Sequence, residues 1–173
     1  MYVDSKPTYL DLIDTNTTGP RYDVTPLFAN QAAFNALLDD FERLLANVQC
    51  DMVAGIDALG FILGTALALR LRKGFMPVRK GGKLPVAVDR VTFVDYSGTE
   101  KALELRHDAL KFGTRVLVVD EWVETGAQAN AAITLIERQG GVVVGVAALH
   151  IDTNDATQTL RAAYPCYAVW TEQ

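Results

Sequence analysis

Residues 116–133 read VLVVDEWVETGAQANAAI, and the rest of the chain is organised around them. Residues 116–119 are a short β-branched run, the pattern of a strand buried on both faces. Two acids follow at once, Asp120 and Glu121. Thr125-Gly126 marks a turn, and residues 129–138 have the spacing of a helix. The order is therefore strand, acidic edge, tight loop, helix N-terminus. In an open parallel sheet, ligands bind outside the carboxyl ends of the strands. A helix N-terminus placed there presents unbonded N–H groups and a positive dipole end, which suit a phosphate. Two carboxylates beside it can hold sugar hydroxyls or a hydrated Mg²⁺.

Working outward, residues 51–56 and 141–149 are two further strands of parallel-sheet character. A helix is expected over 31–46, with apolar residues Phe34, Leu37, Leu38, Phe41, Leu44 and Leu45 on one face, and another over 61–73. Thr25-Pro26 is a helix start. Gly55, Gly60 and Gly64 match neither a dinucleotide fingerprint nor a Walker A loop, and read as a tight turn with close helix–sheet packing. Residues 74–85 hold a short strand and a basic glycine-containing loop with Arg79, Lys80 and Lys83. Residues 87–94 and 102–106 form a hairpin pair around the polar connection 95–101, which is either a surface loop or a lid. A helix at 155–163 and a strand at 166–170 complete an α/β pattern with a mostly parallel central sheet flanked by helices.

The chain of 173 residues is long enough for one domain with a sizeable core. Half of its residues are hydrophobic and 21% are charged, as in globular proteins. A net charge of −5 argues against nucleic acid held by bulk electrostatics. No basic leader with an apolar core opens the chain, and no apolar run reaches the ~18 residues of a membrane span, so no membrane association is expected. Cys50 and Cys166 lack metal-ligand spacing and point to a reducing, cytoplasmic setting. His107 and His150 read as structural.

With these segments in view, the chain resembles the type I phosphoribosyltransferases. The resemblance runs over about residues 20–149. It is carried by RYDVTPLF at 21–28, by VAGIDALGFILGTALALRLRKGFMPVRKGGKLP at 53–85 and by ALELRHDALKFGTRVLVVDE at 102–121. It implies one domain over 1–173 with a small N-terminal hood at about 1–30. It also implies transfer of ribose 5-phosphate from phosphoribosyl pyrophosphate to a purine-type base such as adenine, with Mg²⁺ and as a homodimer. In that pattern Asp120 and Glu121 meet the ribose hydroxyls, and the metal indirectly. Glu124, Thr125, Gly126, Ala127 and Gln128 form the phosphate loop. Asp57, Ala58, Leu59, Arg79, Lys80 and Lys83 reach pyrophosphate. Asp95, with Tyr96, supplies the acid–aromatic pair of the hood, and Arg21 and Tyr22 cover the base.

Each subsite departs from the pattern. The phosphate loop usually reads Ala-Thr-Gly-Gly-Thr, so Glu124 brings a carboxylate to a dianion site and Gln128 replaces a hydroxyl. Leu59 stands where an Arg is usual, Asp95 where a Glu is usual, and Arg21-Tyr22 reverses an aromatic–Arg order. Two alternatives therefore stay open: a non-catalytic nucleotide or base sensor on the same fold, and an enzyme for a less charged ribosyl substrate.

Overall fold

The computed structural model describes residues 7–18, 21–95 and 97–171. Tyr96, expected on the hood, lies outside them. Among the described residues seven strands form one sheet in the order β3-β4-β2-β1-β5-β6-β7. They are β1 (Met52–Ile56), β2 (Gly74–Lys80), β3 (Val88–Val94), β4 (Glu100–Arg106), β5 (Arg115–Val123), β6 (Val142–Ile151) and β7 (Cys166–Trp170). Strands β2, β1, β5, β6 and β7 run parallel. The β3–β4 hairpin adds antiparallel strands at one edge. The three strands expected at the centre are thus neighbours in one sheet.

Side-chain alternation along β5 divides the core in two. Val116 and Val118 face one layer with α4 (Ala127–Arg138) and Leu160 of α5 (Asp155–Ala163). Leu117 and Val119 face the other layer, with α2 (Gln31–Leu44) and α3 (Leu59–Arg70). The N-terminal segment shares that second core. Tyr9, Leu10, Ile13, Val24 and Leu27 are buried in it, so this segment packs on the sheet layer through its own apolar residues. Between β1 and β5 the connecting helices change sides, and the strand order reverses there. Such a reversal splays two loops apart at the carboxyl edge and opens a crevice.

Local chemistry moves several expected boundaries. Gly126 sits at φ +75°, a left-handed conformation that a side chain disfavours, and from it α4 starts at Ala127, two residues before the expected 129. Ala127 and Gln128 therefore belong to the first helical turn. Asn30 interrupts the first helical region by capping α2, accepting from the Ala33 amide at 3.0 Å, so Thr25–Ala29 stands as a separate short α1. Helix α3 ends at Arg70, not 73, because Arg72 turns left-handed and the Lys73 amide closes back onto the Ala68 carbonyl. Glu100 and Lys101 lie inside β4, opposite Val94 and Phe93, so the polar connection is shorter than expected. The glycine reading holds: a methyl on Gly55 would come within 2.5 Å of the Gly60 carbonyl, and one on Gly60 within 2.7 Å of the Val119 carbonyl.

Candidate active site

A cavity of about 400 Å³ opens at the carboxyl end of β5 and the start of α4. Of the residues expected at the site, Arg21, Lys80, Asp95, Asp120 and the whole 124–128 loop line it. Glu121, Asp57, Ala58, Leu59, Arg79, Lys83 and Tyr22 do not line this cavity. Their places explain why.

Asp120 is only 3% exposed, and both its oxygens accept hydrogen bonds. The Glu121 amide donates to Oδ1 at 2.9 Å and the Gln128 side-chain amide to Oδ2 at 3.0 Å. Burial, and then the Glu121 charge, hold the Asp120 carboxyl well above the usual carboxylate range. Gln128 is thus committed to the acid, and not to the loop it was expected to serve. The turn after β1 leans on the same acid, since Gly60 packs against the Asp120 backbone. In that turn Asp57 is joined to Ala58 by a cis peptide and accepts from Arg79 Nε at 3.1 Å. Arg79 is a β2 residue, held by Asp57 and lying over the Phe61 ring. Leu59 is the first residue of α3.

The basic loop after β2 is organised from beneath. Glu104 of β4 is 3% exposed and accepts three successive backbone amides, Gly82 at 2.7 Å and Lys83 and Leu84 at 2.6 Å each. The loop's own N–H groups point at this carboxylate, while the Lys83 side chain is exposed. Burial pushes the Glu104 carboxyl up, but the three amides outweigh it and its pKa lies below the ordinary value. Asp95 serves its own turn: Oδ1 accepts from the Ser97 amide, the Ser97 hydroxyl and the Thr99 amide.

The 124–128 loop leads into the N-terminus of α4 at the cavity. Gly126 caps α4 without a side-chain bond, the Ala127 amide donates to the Thr125 hydroxyl at 3.4 Å, and Ala127, Gln128 and Ala129 of the first turn line the cavity. The Asn154 side chain, the capping box of α5, donates to the Glu124 carbonyl at 2.7 Å and fixes the loop. The Glu124 side chain is ion-paired with Arg21. Burial raises its carboxyl and the Arg21 charge pulls it back. Arg21 therefore bridges from the N-terminal segment to the 124–128 loop. Tyr22 stacks beside Trp170 and meets Trp122 edge to face at 5.5 Å.

The sequence reading does not single out Trp122, Arg90 and Lys101, which line the cavity, or Glu104, which supports the loop beside it. Trp122 alone carried a signal, as a large aromatic next to the acidic pair. The others are marked only by strand pairing over a distance.

The chain belongs to the phosphoribosyl transferase domain family, whose model matches residues 25–173. The adenine phosphoribosyltransferase of Leuconostoc citreum is 42% identical over 126 residues, covering 72% of this chain and 71% of its own. That of Cereibacter sphaeroides is 45% identical over 126 residues, covering 72% and 70%. The crystal structure of adenine phosphoribosyltransferase from Rhodothermus marinus superposes with a TM-score of 0.84 at 34% identity, covering 94% of this chain and 95% of that one.

Proposed function

We propose that this chain is a phosphoribosyltransferase that moves ribose 5-phosphate from phosphoribosyl pyrophosphate onto a nitrogen of adenine, releasing pyrophosphate. The observation that carries this reading is the shared cavity. A buried acid, an open helix N-terminus and the cations Arg21, Lys80, Arg90 and Lys101 all face one space. The 5-phosphate takes the amides of the first turn of α4. Asp120 and Glu121 meet the ribose hydroxyls, with Gln128 holding Asp120 in place. Pyrophosphate lies toward the turn at 57–60 and the Lys80–Lys83 side. Trp122, which lines the cavity, offers a ring for the base, with Tyr22 packed edge to face against it.

The reaction passes through a cation-like ribose, so the site must favour positive charge at the sugar and keep water away from it. The acidic pair at the end of β5 supplies the charge, and Trp122 takes part in the exclusion. Among the described residues no cluster of three or more His, Cys, Asp or Glu side chains could cage a metal. The donor set fits Mg²⁺ carried mainly by substrate oxygens, with the acidic pair acting through water or ribose. When bound, Mg²⁺ neutralises the leaving pyrophosphate. Turnover of adenine with phosphoribosyl pyrophosphate to a nucleoside monophosphate is the test. Absence of product at millimolar substrates with Mg²⁺ overturns the reading.

A homodimer accompanies this function. Helix α3 is apolar nearly all round, yet only one side meets the sheet. Ile62 is 44% exposed and Leu69 75%, both on the face turned away. Residues 61–72, with the 79–83 loop nearby, form the proposed interface. Light scattering at micromolar concentration is expected to give twice the chain mass, and Leu69→Lys to give the monomer. A wild-type monomer contradicts it. The free thiols of Cys50 and Cys166 support a reducing, cytoplasmic setting, and among the described residues no helix is long and apolar enough to cross a membrane.

A further inference from the structure

We propose that Arg21 and Glu124 form a compensated pair that sets the charge of the phosphate cradle, so that Arg21 governs phosphate affinity through Glu124. The inference rests on the phosphoribosyl reading and adds a specificity residue to it.

Three observations carry it. First, Glu124 opens the phosphate loop from a fixed point, because its carbonyl is held by Asn154 and Asn154 is locked by its own cap. Its backbone is thereby fixed at the mouth of the loop, and its side chain lines the cavity. Second, the ion pair with Arg21 joins this loop to the N-terminal segment, and both side chains line the same cavity. Third, the remaining polar side chains of the loop, Thr125 and Gln128, are neutral and cannot offset the Glu124 charge. Gln128 donates to Asp120, and the Thr125 hydroxyl accepts from the Ala127 amide. Glu124 is thus the one charged side chain within residues 124–128, and the charge this loop itself presents is set by Glu124 and the Arg21 paired with it. With the pair intact that charge is near zero. With Arg21 removed, a part-buried carboxylate faces a phosphate dianion, and like charges at this range repel strongly. Arg21, expected to cover the base, is in this account a positioning residue of the phosphate end.

The experiment is a double-mutant cycle on the full chain, read by calorimetry with ribose 5-phosphate, pyrophosphate and phosphoribosyl pyrophosphate as probes. Arg21→Ala is expected to weaken ribose 5-phosphate about twentyfold while pyrophosphate changes less than about threefold. Glu124→Gln, which keeps shape and removes charge, is expected to tighten ribose 5-phosphate about fivefold. The double variant is expected to return to within about threefold of wild type, and the coupling to shrink in high salt. Both side chains are partly exposed, so melting temperatures near wild type confirm that the variants fold. A double variant as weak as Arg21→Ala overturns the proposal, because Arg21 would then touch the phosphate itself. Weakened adenine with unchanged ribose 5-phosphate in Arg21→Ala also overturns it, and returns Arg21 to the base. Wild type that binds no phosphorylated ribose at millimolar concentration overturns this pair and the phosphoribosyl reading together, whereas tight wild-type binding without rescue overturns the pair alone.

Discussion

Replacing Asp120 and Glu121 together by Asn and Gln is expected to weaken every ribose-containing ligand by well over tenfold, and by about a hundredfold where both acids engage. Charge-assisted hydrogen bonds are worth about 1.5–3 kcal/mol each, and the double variant removes the charge from both. The fold is expected to survive. Asn at 120 keeps one oxygen for the Glu121 amide, and the Gln128 amide can turn its oxygen toward the new NH₂ group. Stability is expected to move the other way from affinity. Burial raises the Asp120 carboxyl above its unfolded value, so its contribution to stability is present at low pH and lost as pH rises through the raised pKa. Asp120→Asn removes that loss, and its advantage over wild type should grow with pH. Calorimetric affinities equal to wild type would remove both acids from the sugar site. A variant less stable than wild type at neutral pH would mean that Asp120 is stabilising as a carboxylate.

The second large effect is expected at Glu104. Glu104→Ala takes the acceptor from three part-buried amides, and each group left unsatisfied costs about 1–3 kcal/mol. A loss of about 3–5 kcal/mol is expected, a large part of the ~5–15 kcal/mol that holds a domain of this kind. Glu104→Gln is the gentler probe. Its carbonyl oxygen can keep Lys83 and Leu84 at the Oε1 position and forfeits the Gly82 bond, for a loss of about 1–2 kcal/mol. Because the basic loop is aimed by this carboxylate, KM for phosphoribosyl pyrophosphate is expected to rise about tenfold in Glu104→Gln with kcat less affected. The pH sign follows from the depressed carboxyl. Its stabilisation is present above the unfolded glutamate pKa of about 4.3 and lost as pH falls through the lower folded value. Wild type and Glu104→Gln should therefore converge in stability in acid. Parallel stability curves down to that range would show that the amides do not depend on an ionised Glu104.

Much of the layout was legible from local pattern. The run at 116–119, the long strand ending near 149, the hairpin pair and the helix at 155–163 announce themselves through side-chain period and β-branching, which act over a few residues. The acidic pair, the turn at Gly126 and the close-packing glycines were legible for the same reason. Each is a local demand: a charge at a strand end, a left-handed φ, a missing Cβ where a helix meets the sheet.

The partnerships were settled only by tertiary structure. Nothing near Glu124 in the chain names Arg21, and nothing near Glu104 names the amides of the loop at 82–84. Gln128 and Asp120 are close in sequence, but one lies on a helix and the other on a strand, and only the turn at Gly126 aims them at each other. Arg79 was read as a loop cation and is a strand residue held by Asp57. The physical reason is common to all of these. Periodicity reports which side of an element is buried, whereas a buried charge takes whatever partner the strand order brings to it. In this chain, local sequence determined the elements and the chemistry available at the crevice. The packing of β4 beside β2, and of the N-terminal segment over β5, decided which charge answers which.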